Sequence, residues 1–262
     1  MRAALSLTLR RLSVLLLAVV VALVLWSLFL AAFDISPLIG KYPWDVFAYL
    51  FTEETAEANR AAVAANLSIT VRDAGVGYVV GLLFAFLLAV LFSVSPMLER
   101  IVMPTAMVLR SIPLIVLTPL ITLIFGIGLS GVTAIVLIVV FLPSLANILY
   151  GLRSVTAEHG DLVRAYGGNA WTVLRMVALP TAVPAALASA RVAIPAAVTG
   201  AMIGEWLSTG EGLGGSISRA SGSFDYTHMW AAAVSITAVT MLAYAVMSIV
   251  DSLATERLGV AP

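Results

Sequence analysis

Cysteine is absent and histidine nearly so: the 262 residues hold no Cys and two His, His159 and His228. The first absence excludes disulfide scaffolds, thiolate zinc sites, cysteine-ligated iron–sulfur clusters and cysteine nucleophiles together. The second leaves too few imidazoles for a His-rich metal centre, and no metal is expected. Charge is scarce too. Lys plus Arg number 14, Asp plus Glu 14, and charged residues make up 11% of the chain against 61% hydrophobic. A soluble domain carries about 25% charged and roughly 45–50% apolar residues, so a water-soluble globular fold is excluded. A net charge of zero argues against nucleic acid as a partner. What remains is an all-α integral membrane protein with the lipid bilayer as its solvent.

Long runs without charge are what the chain has instead. A helix needs about 20 mostly apolar residues to cross the hydrocarbon. Leu12 to Phe33 is one run, the stretch between Asp73 and Glu99 a second, and Ser111 to Leu152 a third. The last would be about 63 Å long as a single helix, twice the bilayer, so it is expected to fold back, with Gly126, Gly128 and Gly131 offering the turn. Met176 to Gly204, broken by Arg191, and Met229 to Val250 complete a set of six expected transmembrane helices. The first run exceeds the roughly 7–15 residues of a signal-peptide core and reads as an uncleaved anchor. Residues 1–60 thus hold an anchor helix, about 12–33, and an outer segment; residues 61–262 hold a five-helix core. The outer segment contains Pro43, Trp44 and an acidic stretch from Glu53 to Arg60, expected along the interface or at the start of span two.

Basic residues orient the spans. With the N-terminus in the cytoplasm, Arg2, Arg10, Arg11, Arg100, Arg153, Arg164, Arg175 and Arg257 fall inside, and Lys41, Arg60, Arg72 and Arg219 outside. Both termini are then cytoplasmic. Arg110 and Arg191 stay within the membrane.

The longest inner segment, 151–180, is the informative one. Asp161 to Tyr166 has helical spacing and ends at Gly167-Gly168, a good C-terminal cap. A second short helix can start near Asn169, carry Trp171, Val173 and Leu174, and stop at Pro180. Two amphipathic helices joined by a glycine hinge suit either an interfacial helix resting Trp171 among headgroups or a docking element for a soluble partner.

Asp161, six residues, Gly167, ten residues, Val177, then Leu179-Pro180 resembles the cytoplasmic loop signature of binding-protein-dependent ABC importer permeases. Asp161 and Val177 are conservative departures from it, and Leu162 and Val163 replace two alanines. Leu109-Arg110-Ser111-Ile112-Pro113-Leu114 with Phe125-Gly126-Ile127-Gly128 is similar to the third span of taurine/sulfonate/nitrate-type permeases. Ala190-Arg191-Val192, Gly204-Glu205-Trp206-Leu207 and Gly212-Leu213-Gly214 resemble their fifth span and its exit. The resemblance covers about Asn66 to Asp251. It implies a type I, methionine-importer-like permease fold working as a homodimer over two ATP-binding subunits, supplied by an extracytoplasmic solute-binding protein in the cell inner membrane. It also implies an ATPase-coupling role for Asp161, Ala165, Gly167, Gly168, Trp171, Val177, Leu179 and Pro180. The chain has no G-x-x-x-x-G-K-[ST] phosphate loop, so ATP and Mg are expected in the partner and no cofactor here. The implied cargo is a small sulfonate, taurine or nitrate-like anion, the alternative a pyrimidine- or riboflavin-like vitamin precursor.

Arg110 and Arg191 are costly in lipid, about 2.5–3.5 kcal/mol each at a helix centre, and must face protein, water or an acid. They either line the translocation path and attract an anion or pin helix breaks near Pro113 and Pro195. Glu205 is a gate partner for an arginine or an interfacial acid. The prolines at 113, 119, 143, 180, 184 and 195 are expected to interrupt helices. Gly210 to Gly215 satisfies G-x-G-x-x-G, but no strand precedes it, and it reads as an outer turn or re-entrant loop. Gly128-Leu129-Ser130-Gly131 with His228 raises a distant alternative, a rhomboid-like intramembrane protease; a secondary transporter is another.

Overall fold

The computed structural model describes residues 2–155 and 157–257, with side chains from 17 onward except those of 157 and 257. The side chains of Arg2, Arg10, Arg11 and Arg257, used above for orientation, lie outside that range, as do both chain ends. All regular structure among the described residues is helical. The elements are α1 (Arg2–Ala32), α2 (Pro43–Phe51), α3 (Ala56–Val94), α4 (Pro96–Ser111), α5 (Leu114–Phe125), α6 (Leu129–Arg153), α7 (Ala157–Ala165), α8 (Ala170–Val173), α9 (Leu179–Gly204), α10 (Gly212–Gly222) and α11 (Tyr226–Arg257). Single π-helical turns at Leu174–Ala178 and Glu205–Thr209 prolong α9 at its two ends.

Four helices are long and apolar enough to span a bilayer: Ala56–Val94, Leu129–Arg153, Ala170–Thr209 and Tyr226–Glu256. The pair α4 and α5 is apolar enough to make a fifth when counted together, but its members meet at 110°, the geometry of a broken span or a re-entrant loop. The expected third span is therefore broken rather than straight. Pro113 is the cause: it caps α5 and forces Ile112 into extended backbone, because the ring clashes with a helical predecessor. The fold-back after α5 falls where the glycines allow it, Gly126 and Gly128 taking φ of 86° and 117°. α1 offers a shorter apolar stretch among the described side chains, Leu17–Ala32. The acidic stretch 53–60 divides between the turn after α2 and the first turn of α3, so α3 begins well before Asp73.

α3, α6 and α9 form the packed centre. Without a hydrophobic drive between helices in lipid, close contact depends on small residues. A Cβ on Gly77 would overlap the Val136 side chain, one on Gly81 would reach Val140, and Gly200 and Gly204 meet Val136 and Ile135 in the same way. Two buried clusters follow. Ala74, Val132, Val136, Val140, Ala193, Ala197 and Ala201 fill the middle. Ala85, Ala89, Phe92, Leu145, Leu149, Leu174 and Ala178 fill the end nearest α7 and α8, where Arg153 at the end of α6 also pairs with Glu99 on α4. Of the six prolines expected to interrupt helices, only Pro113 sits at a break; Pro119, Pro143, Pro184 and Pro195 lie inside continuous helices.

α1 touches this bundle at the α10 end, where Trp26 stacks on Trp230 with centroids 5.0 Å apart. Trp230 also donates its indole N–H to the Ile39 carbonyl. Beside them, burial, with Asp225 and Glu53 nearby, pushes the Tyr49 phenol up, and its hydroxyl is hydrogen-bonded to His228 Nδ1 at 3.1 Å.

Candidate functional site

The loop between α6 and α9 builds its shape from local backbone chemistry. α7 ends at Gly167, whose φ of +83° suits glycine and not L side chains. The Gly167 and Gly168 amides then close on the carbonyls of Arg164 and Val163, both at 2.9 Å. Asn169 opens α8 by accepting the Thr172 amide on Oδ1 at 3.0 Å. The second helix does not stop at Pro180, as the sequence led us to expect. α8 runs through the π turn into α9, and Pro180 follows directly on that π segment, where the irregular ladder accommodates the missing N–H.

The apolar residues of this loop divide into two sets. Leu162, Tyr166, Trp171 and Met176 face out, with Tyr166 88% exposed and Trp171 61%. Leu174 and Ala178 are buried in the cluster shared with α3 and α6. The loop thus exposes one apolar face and anchors the other in the bundle. Among the remaining expected coupling residues, Asp161, Ala165 and Pro180 are exposed, and Gly168, Val177 and Leu179 are half-buried. Among the described residues Asp161 pairs with Arg164 alone, at 3.1 Å and exposed, which contributes little to stability.

Glu205 stands at the opposite end of α9 and is fully buried. Its Oε2 accepts from the Thr70 hydroxyl at 2.8 Å and from the Gly214 amide at 2.9 Å. Thr70 also accepts the Leu213 amide at 2.9 Å, so one hydroxyl joins α3, the π turn and α10. Gly212 makes room for the carboxyl: its φ is +61°, and a Cβ there would strike the Glu205 carboxylate. Asp73, one turn along α3 from Thr70, is buried and held by Arg72 at 2.8 Å. No arginine pairs with Glu205 among the described residues. The glycine-rich segment expected as a turn or loop forms α10 from Gly212 onward.

Arg191, in the middle of α9, has its countercharge on another helix, Asp251 of α11 at 3.1 Å. Its guanidinium also lies 5.8 Å from the Tyr244 ring centroid. Arg110 ends α4 on the exposed surface beside the Pro113 break, with no hydrogen bond or ion pair among the described residues. The structure therefore gathers the loop residues at one end, leaves Glu205 at the other, and keeps Arg110 and Arg191 apart from both. Thr70, Asp73 and Asp251 escaped the sequence reading. The available signal was their polarity on the flanks of apolar runs, which also fits ordinary boundary residues. Ser130 donates to the Phe125 carbonyl and His228 is engaged by Tyr49, so the protease dyad is not formed.

Comparison with known families decides between the remaining readings. The model for the binding-protein-dependent transport system inner membrane component matches residues 77–258, from the α3 glycine seam to the end of α11. The chain belongs to that family. It is an integral inner-membrane permease of the ABC importer class. A riboflavin transport system permease from Chloroflexus aurantiacus is 31% identical over 60% of this chain and 58% of its own length. A probable ABC transporter permease from Haemophilus influenzae is 27% identical over 87% of this chain and 91% of its own. The taurine transport system permease of Escherichia coli is 24% identical over 78% of this chain and 74% of its own. An inward-facing structure of the MetNI methionine ABC transporter shares the fold, with a TM-score of 0.61 at 23% identity, covering 78% of this chain and all of the matched one. The permease thus has the type I importer fold.

Proposed function

We propose that this permease is the transmembrane subunit of an ATP-driven importer that moves a small solute into the cytoplasm by alternating access. Two copies form the pathway, two ATP-binding subunits dock below, and an extracytoplasmic binding protein delivers cargo. The observation that carries this reading is the loop at 157–178: an apolar face presented to solvent on a short helix, its other side fixed in the core through Leu174 and Ala178. Such an element fits a helix-in-groove contact and passes a partner's movement directly to α9 and α6. Asp161, Ala165, Gly167, Gly168, Trp171, Val177, Leu179 and Pro180 form that coupling loop. With this end cytoplasmic, both termini lie inside and α10 faces out. ATP and Mg belong to the partner subunit.

Arg110, Pro113, Arg191 and Glu205 are the pathway or gate residues. Arg110, exposed and unpaired among the described residues, suits an anionic cargo such as taurine, an alkanesulfonate or nitrate. The riboflavin permease and a formylaminopyrimidine permease from Halalkalibacterium halodurans, 26% identical over 76% of this chain, favour a vitamin precursor as the second reading. The test is co-purification: wild-type permease retains the ATP-binding subunit encoded with it, and Tyr166→Ala/Trp171→Ala loses it while inserting normally. Undiminished retention in that variant would sink the docking assignment.

A further inference from the structure

The polar cluster around Glu205 joins three elements that need not move together. α3 belongs to the packed centre, the π turn Glu205–Thr209 ends α9, and α10 follows across Gly210 and Gly212, with φ of +68° and +61°. A π turn followed by two such glycines is a jointed connection: the Gly210 amide closes the π turn on the Glu205 carbonyl at 2.8 Å, and the helical ladder is interrupted there before α10 begins. Leu213 seats α10 apolarly against Val63, Ala232 and Ile236, and two polar contacts fix its first turn at the joint: the Leu213 amide on Thr70 Oγ1 and the Gly214 amide on Glu205 Oε2. Two further bonds tie α10 back to the joint's own residues, Arg219 to the Gly210 carbonyl and the Gly215 amide to the Glu211 carbonyl, but neither reaches α3.

We infer that Thr70 is a positioning residue for gating: with Glu205 it forms a reversible latch that holds α10 down on α3, and its release opens that end of the pathway. This rests on the importer reading above for what the opening serves. Reversibility follows from the alternatives each partner keeps. The Thr70 hydroxyl lies 3.3 Å from the Asn66 carbonyl of its own helix, so it retains an acceptor when Glu205 departs. Glu205 Oε1 is buried without a hydrogen-bond partner, a spare acceptor for an amide that shifts as α10 moves. A permanent strut needs neither. Threonine also explains the residue type, since a single atom must donate to the carboxylate and accept from an amide.

The absence of cysteine makes the test direct. Ser216, 4% exposed on α10, is replaced by Cys in the full chain in membranes, and its reaction with a water-soluble maleimide is timed. Ser144→Cys, 1% exposed in α6, reports loosening of the bundle as a whole. Adding Thr70→Val to S216C is expected to speed labelling by roughly tenfold, the scale of a lost buried hydrogen-bond pair. Thr70→Ser is expected to restore the slow rate, and S144C to stay slow in both backgrounds. An S216C rate indifferent to T70V would overturn the latch. So would equal acceleration of S144C, which makes Thr70 a support of the whole fold. No ATP-binding subunit or cargo enters the measurement, so failure of the importer reading shows separately, as loss of co-purification.

Discussion

Asp251 lies 3.1 Å from Arg191, so α9 meets α11 as a neutral pair rather than as a bare cation in lipid. The guanidinium is therefore balanced within the chain, and of the two arginines Arg110 and Arg191 only Arg110 presents an unpaired charge among the described residues. Removing one member of a mostly buried pair strands the other, which costs more than removing both. Asp251→Asn is expected to lower the melting temperature of the detergent-purified permease, and Arg191→Gln/Asp251→Asn to recover most of that loss. A double mutant less stable than either single would show that the two charges do not act as a pair. Gly212 gives a second check at this scale. Gly212→Ala places a methyl on the Glu205 carboxyl at φ +61°, at a cost of at least about 1–2 kcal/mol. Gly222→Ala, with nothing within 4 Å of its Cβ, is expected to leave melting unchanged.

At the scale of elements, the spans were legible because hydrocarbon thickness imposes a length that charge spacing reveals. The same logic placed the fold-back at Gly126–Gly128 and the loop helices at Gly167 and Asn169. It failed where proline was read by type alone. Pro119, Pro143, Pro184 and Pro195 stay inside helices, whereas Pro113 breaks one, and only the neighbouring geometry tells the two cases apart. The latch was illegible for a similar reason: Thr70 and Glu205 are 135 positions apart and meet only through packing. Glu205 itself was visible as an acid near an apolar run, without its partners. The α3–α6 seam carries its own prediction. Gly77→Val forces a side chain into Val136, and overpacking of this kind costs about 1–3 kcal/mol. The yield of folded permease is expected to fall, while Gly75→Val, which faces open space, is expected to leave it intact.

The molecule as a whole is organised about its two ends. One end holds the loop with an exposed apolar face, fixed to the core by Leu174 and Ala178; the other holds α10 on its polar latch. α9 runs between them, π-helical at both junctions, so a displacement of the loop reaches Glu205 through one continuous helix. The measurement that tests this most directly is uptake by membrane vesicles holding the permease with its ATP-binding subunit and binding protein, supplied with labelled taurine, an alkanesulfonate, nitrate and riboflavin in turn. The account predicts accumulation of one of these that requires ATP and the ATP-binding subunit, and that Gly167→Val reduces severalfold without loss of inserted protein. Accumulation by the permease alone, driven by an ion gradient and indifferent to ATP, would contradict it.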